Sequence, residues 1–208
     1  MHMLTTAELR WFYPGKLPEI VLQWFEQDRL GYLAPVEERE DIYLYVPESE
    51  FVGIKLRQGR LEVKWRKAEL GILEFGQAVG KAEKWSKWLC EDKSQESFQR
   101  SQVSGKQTWI SVNKQRKQRN YTVTNQAVVA IPIEQFCDRV CSVELTQLEI
   151  YNHFWWSLAF EASGEDEFNT LKVVAESLFQ FYSSPKLQLQ DSFAYPWWLE
   201  KNVTSQQR

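Results

Sequence analysis

The sequence predicts an α+β domain, predominantly antiparallel β, and three observations carry that prediction. Aromatic residues make up 14% of the 208-residue chain, with 10 Trp, 12 Phe and 8 Tyr, a load that suits strands, where flat side chains cover a pleated surface. Polar and apolar residues alternate with period two in run after run. Two segments carry the spacing and end signals of good amphipathic helices. A hydrophobic fraction of 43% is ample for a core, and the length makes one domain, residues 1–208, the default.

The elements follow in order. AELRWF alternates and is broken by YPGKLP, giving a first strand and a turn. PEIVLQWFEQDRL then reads as a helix, with Pro18 in its first turn, Glu19 near its positive end, Ile20 and Trp24 on one face, and Gly31 as its stop. DIYLYV is a strand. In FVGIKLRQGRLEVKWRK two alternating runs flank Gln58, Gly59 and Arg60, which marks a hairpin. Ile54, Leu56, Leu61, Val63 and Trp65 share one face; Lys55, Arg57, Glu62, Lys64 and Arg66 share the other.

From Gly71 the pattern weakens. LGILEFG is read as a short strand, Trp85, Trp88 and Leu89 have helical spacing, and residues 76–107 are expected to hold an insertion. TWISVNKQRKQRNYTV brings Lys114 and Arg116 to one face; AVVAIPI, CSVELTQLEI and HFWWSLAFEA follow as strands. EDEFNTLKVVAESLFQFY, introduced by Ser163 and Gly164 and acidic in its first turn, is the second helix. The tail from Pro185 is expected to be irregular, packed through Trp197 and Trp198 and frayed over 200–208. About eight strands with two helices most simply form one closed or nearly closed sheet, since closure removes exposed edges.

Composition also excludes function classes. A formal charge of −3 lacks the basic field of a general nucleic-acid binder, so any anion site must be local. Cys90, Cys137 and Cys141 have no metal-ligand spacing and the chain has two histidines, His2 and His153, which argues against zinc. No apolar run reaches the length of a membrane span and no leader pattern opens the chain, so the expectation is a cytoplasmic protein with reduced thiols and no membrane partner.

Charged residues on one face of a strand ordinarily stand in water. Repetition changes that reading here: Lys55 and Arg57, Lys64 and Arg66, and Lys114 and Arg116 take alternate positions in separate strands, with Arg10 joining from the first. In neighbouring strands these cations converge, at a cost that a bound anion or opposing carboxylates must offset. Glu8, Glu62, Glu144 and Glu161 are the available counter-charges. The KQRKQR run has aromatic neighbours only at its edges, Trp109 and Tyr121, which disfavours a single-strand nucleic-acid platform. His153 beside Phe154 and Trp155 reads as a packed strand residue, and Cys137 and Cys141 as ordinary thiols rather than a redox pair.

DIYLYV, the GIKLRQGRLEVKWRK hairpin, NKQRKQR, VELTQLEI and WWSLAFEASG before a helix, in that order from Ala7 to Phe181, resemble the CYTH or triphosphate tunnel superfamily. The resemblance implies an antiparallel tunnel barrel of about eight strands with a polar interior and flanking helices. It also implies triphosphate binding through Lys and Arg, with magnesium or manganese on Glu in the active enzymes. Lys55, Arg57, Lys64, Lys114 and Arg116 match phosphate-contacting positions; Arg10 and Arg66 extend the set. The metal candidates are Glu8, Glu62, Glu144 and Glu161. Two departures bear on them. The family's opening Glu-x-Glu-x-Lys reads here Glu8, Leu9, Arg10, Trp11, Phe12, and the late acidic strand reads Ser157, Ala159, Glu161.

The leading expectation is therefore a basic tunnel that binds a triphosphate, polyphosphate or phosphorylated nucleotide with weak or no hydrolysis; magnesium or manganese is expected only if the protein is enzymatically active. The alternatives are a metal-dependent triphosphatase, which needs three or more of Glu8, Glu62, Glu74, Glu144 and Glu161 together, and a protein-interaction module without a ligand site. In that last case the cations face solvent or pair one for one with acids.

Overall fold

The computed structural model describes residues 2–90, 108–183 and 185–206. Its strands are β1 (His2–Pro14), β2 (Glu37–Leu44), β3 (Val52–Arg57), β4 (Arg60–Phe75), β5 (Ala78–Cys90), β6 (Trp109–Thr124), β7 (Ala127–Ile131), β8 (Val140–Ile150) and β9 (His153–Ser163). The helices are α1 (Glu19–Phe25), α2 (Glu167–Phe179) and α3 (Tyr195–Gln206). The sheet order is β2-β3-β4-β5-β1-β9-β8-β6-β7, and pairing of β2 with β6 closes eight strands into a barrel with β7 appended. Every strand-to-strand pairing in it is antiparallel. No helix among the described residues is long and apolar enough to cross a membrane.

Turn chemistry sets the register. Gln58 and Gly59 both have positive φ (48° and 76°) between the paired Arg57 and Arg60. The same two-residue geometry recurs at Asn125–Gln126 and Tyr151–Asn152. Such turns match the right-handed twist of their flanking strands. Because side chains alternate, each register decides every inward and outward residue on its strand.

The outer wall of β1, β8 and β9 carries the apolar set Leu9, Trp11, Val143, Leu145, Leu158 and Phe160, packed against Trp24 and Phe25 of α1 and Leu171, Val174 and Leu178 of α2. Burying each of these side chains contributes about 1.5–3 kcal/mol, an upper bound because the unfolded chain is already partly collapsed. Gly80 allows this packing: a Cβ there would lie 2.5 Å from the Trp11 ring.

Two local expectations need correction. Residues 78–90 are barrel wall, with β5 paired to both β4 and β1, rather than the start of an insertion; 91–107 lie outside the described residues. Trp85 and Trp88 therefore lie on opposite faces of a strand and not on one face of a helix. Lys81, Glu83 and Lys87 on the inner face made this strand look polar. The tail is helical through Gln206, with Trp198, Leu199 and Val203 buried. On β6, Val112 shares the inward face of Lys114, two residues along, and packs beneath α3 in the barrel's apolar end.

The segment leading to α3 is built into the wall. Beyond Leu9 and Ala82 the β1–β5 pairing stops. Residues 187–193 fill the seam, where Val79 N–H donates to Leu187 O, Leu187 N–H to Gln77 O, and Phe193 N–H to Arg10 O.

Candidate functional site

The barrel lumen holds a cavity of about 300 Å³. Of the expected cations, Arg10, Lys55, Arg57, Lys64, Lys114 and Arg116 all line it, as do Glu8, Glu62, Glu144 and Glu161. Each comes from the inward parity of its strand: Glu8 and Arg10 on β1, Lys55 and Arg57 on β3, Glu62 and Lys64 on β4, Lys114 and Arg116 on β6, Glu144 on β8, Glu161 on β9. Arg66 stands apart. It precedes a register shift in β4, and its guanidinium goes to Glu83 at 2.7 Å and Glu69 at 3.6 Å instead of the cavity.

The lumen also presents residues that sequence reasoning missed. Arg39, Lys81, Glu83, Lys87, Gln118, Tyr43 and Tyr195 line it. The alternation Glu37, Arg39, Asp41, Tyr43 was the available signal on β2, and Lys81, Glu83, Lys87 was the signal on β5. Tyr195 had none, because it enters from a helix remote in sequence.

Asp41 organises one group of cations. Wholly buried, it lies 2.9 Å from Lys114, 2.9 Å from Arg57, and 3.5 Å from both Lys55 and Arg39. Burial alone would raise its carboxyl, but Lys114, Lys55 and Arg57 outweigh burial and hold it far below the usual range. Lys114 also donates to Tyr43 Oη at 2.6 Å and Tyr195 Oη at 2.9 Å, so its three N–H groups have three acceptors. Burial pushes Lys114 down to about 7 and Lys55 to about 8, against the opposing charge of Asp41 in each case.

The carboxylates are occupied. Lys64 bridges Glu8 and Glu161, which face each other across β1 and β9. Glu144 takes Arg116 and, at 3.5 Å, Arg10; burial opposes its ionisation, but Arg116 and Arg10 hold it well below the carboxylate range. Glu62 takes Lys55 at 3.0 Å and Lys87 at 3.5 Å. Among the described residues no three His, Cys, Asp or Glu side chains stand close enough to hold a metal ion. The donor set does not fit a resident divalent cation, since each carboxylate named as a candidate already neutralises an ammonium or guanidinium.

The balance remains positive. Nine Lys and Arg side chains line the cavity against five Glu. Asp41, Glu37 and Glu69, which also ion-pair lining cations, bring the acids to eight, one short of the cations. Cys141 is buried in the apolar cluster outside the barrel, where burial pushes its thiol up; His153, expected to be packed, is instead exposed at the start of β9, where the strand leaves its turn.

A closed antiparallel barrel of eight strands with one further strand, three helices and an inward-facing charged lumen is an α+β tunnel-like barrel. Among solved structures the chain is similar to the PH1012 protein from Pyrococcus horikoshii OT3, at 14% identity and a TM-score of 0.42, covering 90% of this chain and 93% of that one. It is also similar to the S. pombe Pct1 RNA triphosphatase, at 11% identity and a TM-score of 0.35, covering 86% and 79%. No family model and no curated protein matches the sequence.

Proposed function

We propose that the protein binds a triphosphate, polyphosphate or phosphorylated nucleotide inside its barrel, with little or no hydrolysis. The observation that carries this reading is the convergence of nine Lys and Arg side chains on one cavity lined by only five carboxylates. A surplus held away from bulk water is costly by itself and is relieved by a multivalent anion. The limited hydrolysis rests on the occupied carboxylates and on Arg10, whose guanidinium offers only donors and cannot ligate a metal.

Isothermal titration of tripolyphosphate without added metal tests the reading. Saturable binding that weakens as salt rises is expected. Absence of heat and of any thermal stabilisation at low salt would overturn it.

A further inference from the structure

Every strand of the closed barrel has a neighbour on each side, but β7 has one neighbour only. It pairs with β6 from Ala127 opposite Thr124 to Ile131 opposite Asn120 and stands last in the sheet order. The turn before it decides which backbone groups are spent. Asn125 and Gln126 both have positive φ, so the residues that flank this two-residue turn, Thr124 and Ala127, exchange both hydrogen bonds. The exchange recurs at every second residue, Val129 with Thr122 and Ile131 with Asn120. The N–H and C=O groups of Val128 and Ala130 therefore point away from β6, and among the described residues they have no hydrogen-bond partner.

Nothing blunts this edge. The strand AVVAI contains no charge and no proline, and its register with β6 runs without a bulge, whereas these are the devices by which open edges are kept from pairing. Val129 is 43% exposed, and Ile133 and Phe136 on the segment that follows are 38% and 89% exposed.

We propose that β7 is a dimer contact, pairing antiparallel with β7 of a second copy of this chain across a two-fold axis at Val129. The unspent groups select the register. An axis at Val129 sets Val128 opposite the partner's Ala130 and Ala130 opposite the partner's Val128, so every unspent group on both copies finds a partner. An axis at Val128 would set Ala130 against the turn residue Gln126, and one at Ala130 would set Val128 against Pro132, which has no N–H. The chosen register also places Ala127 against the partner's Ile131, small against large, and brings no two like charges face to face. A two-fold contact uses one surface twice, and this strand is complementary to itself. The contact lies outside the lumen and does not depend on polyanion binding.

The test weighs the full chain by sedimentation velocity over a dilution series without added ligand. A mass that falls from twice that of the chain to that of the single chain on dilution is the expected result; a single-chain mass at every concentration would overturn the dimer, whatever other strand the edge accepts. Val129→Lys sets two ammonium groups against each other at the axis, and its exposed position spares the core. This variant should keep the native circular dichroism and be a monomer where the native protein is a dimer; a dimer that survives the change rules out the β7 contact. If the lysine variant unfolds, Val129→Cys decides. Across the axis residue 129 meets its own copy in the closer, non-hydrogen-bonded kind of pair, within range of a disulfide. Mild oxidation should give a covalent dimer that peptide mapping assigns to residue 129, while Ala127→Cys, set against the partner's Ile131, should give none through residue 127. Equal cross-linking at the two positions, or none at 129, overturns the register.

Discussion

Asp41 and Lys114 form the most buried ion pair among the lumen residues, 2.9 Å apart with side-chain exposures of 0% and 2%. Neither lies next to the other in register: Asp41 is paired with Val112 across β2 and β6, and Lys114 with Arg39. They are diagonal neighbours on the inner face of two directly paired strands, within reach of a long side chain. The pair sets Lys114 at the floor of the lumen and anchors Lys55 and Arg57 through the same carboxylate.

Replacing Asp41 by Asn removes that shared counter-charge and leaves the buried Lys114 without a carboxylate, while Lys55 and Arg57 keep Glu62 and Arg39 keeps Glu37. Loss of one partner from a buried charge network costs about 3–5 kcal/mol. Thermal or denaturant unfolding should show a loss of this order, and tripolyphosphate should raise the variant's Tm more than the native protein's, because the anion takes the carboxylate's place. Unchanged stability would show that Asp41 does not hold the cation group.

Arg57 and Lys114 sit on opposite sides of Asp41; Arg57 should contact bound phosphate directly, and Lys114 should do so by exchanging one of its three present acceptors. A charge-assisted hydrogen bond contributes about 1.5–3 kcal/mol, so each loss should weaken binding roughly 10- to 150-fold. Titration of an Arg57→Ala, Lys114→Met variant should show most of the affinity gone and a shallower salt dependence. Native-like affinity would place the ligand elsewhere.

Ligand binding should weaken between pH 6 and 9. The folded-state values of Lys114, about 7, and Lys55, about 8, lie below their ordinary range because burial disfavours the ammonium. Both amines therefore lose charge as pH rises through this window, while a terminal phosphate with a second pKa near 6 is already ionised. The expected loss is about fivefold per lysine neutralised, the difference between a charged and a neutral hydrogen bond. Calorimetry at pH 8 in buffers of different ionisation enthalpy should show proton uptake on binding. No uptake would mean that both lysines stay charged.

Stability should fall steeply in acid. Asp41, Glu62 and Glu144 all titrate below their ordinary values: burial opposes ionisation, but nearby cations outweigh it. A depressed carboxylate contributes stability that is present above its unfolded pKa of about 4 and is lost as pH falls toward its folded value. Unfolding midpoints measured from pH 6 downward should drop below about pH 4, and Asp41→Asn should flatten that slope.

Phosphate release from tripolyphosphate or ATP should be slight with either magnesium or manganese. Glu8 and Glu161 share Lys64, and Glu144 is held by two guanidinium groups. Metal-dependent turnover that disappears in Glu161→Gln would establish a triphosphatase instead. A gain of activity in Arg10→Glu would mark a hydrolase that had lost a ligand at that position.

Much of the fold was legible because a barrel strand writes its two faces into alternate residues. The β3–β4 hairpin shows this best, with Lys55, Arg57, Glu62 and Lys64 turned in and Ile54, Leu56, Leu61 and Val63 turned out. β5 was not legible, because its inner face is as polar as a surface strand's and tryptophans occupy both faces. The tail hid its role for a different reason. Trp198 reads as any packed aromatic until the barrel end it fills is known.

The sequence by itself determined which cations and carboxylates face one way, because parity along a strand is local and turn residues such as Gln58 and Gly59 hold the register. Only the tertiary structure decided which charges meet. Lys64 joins Glu8 and Glu161, Arg10 and Arg116 share Glu144, and Asp41 gathers cations from three strands, since strand order and closure bring together residues far apart in the chain. Closure of one end by α3 is likewise a tertiary fact: it needs the seam between β1 and β5, which no local pattern records.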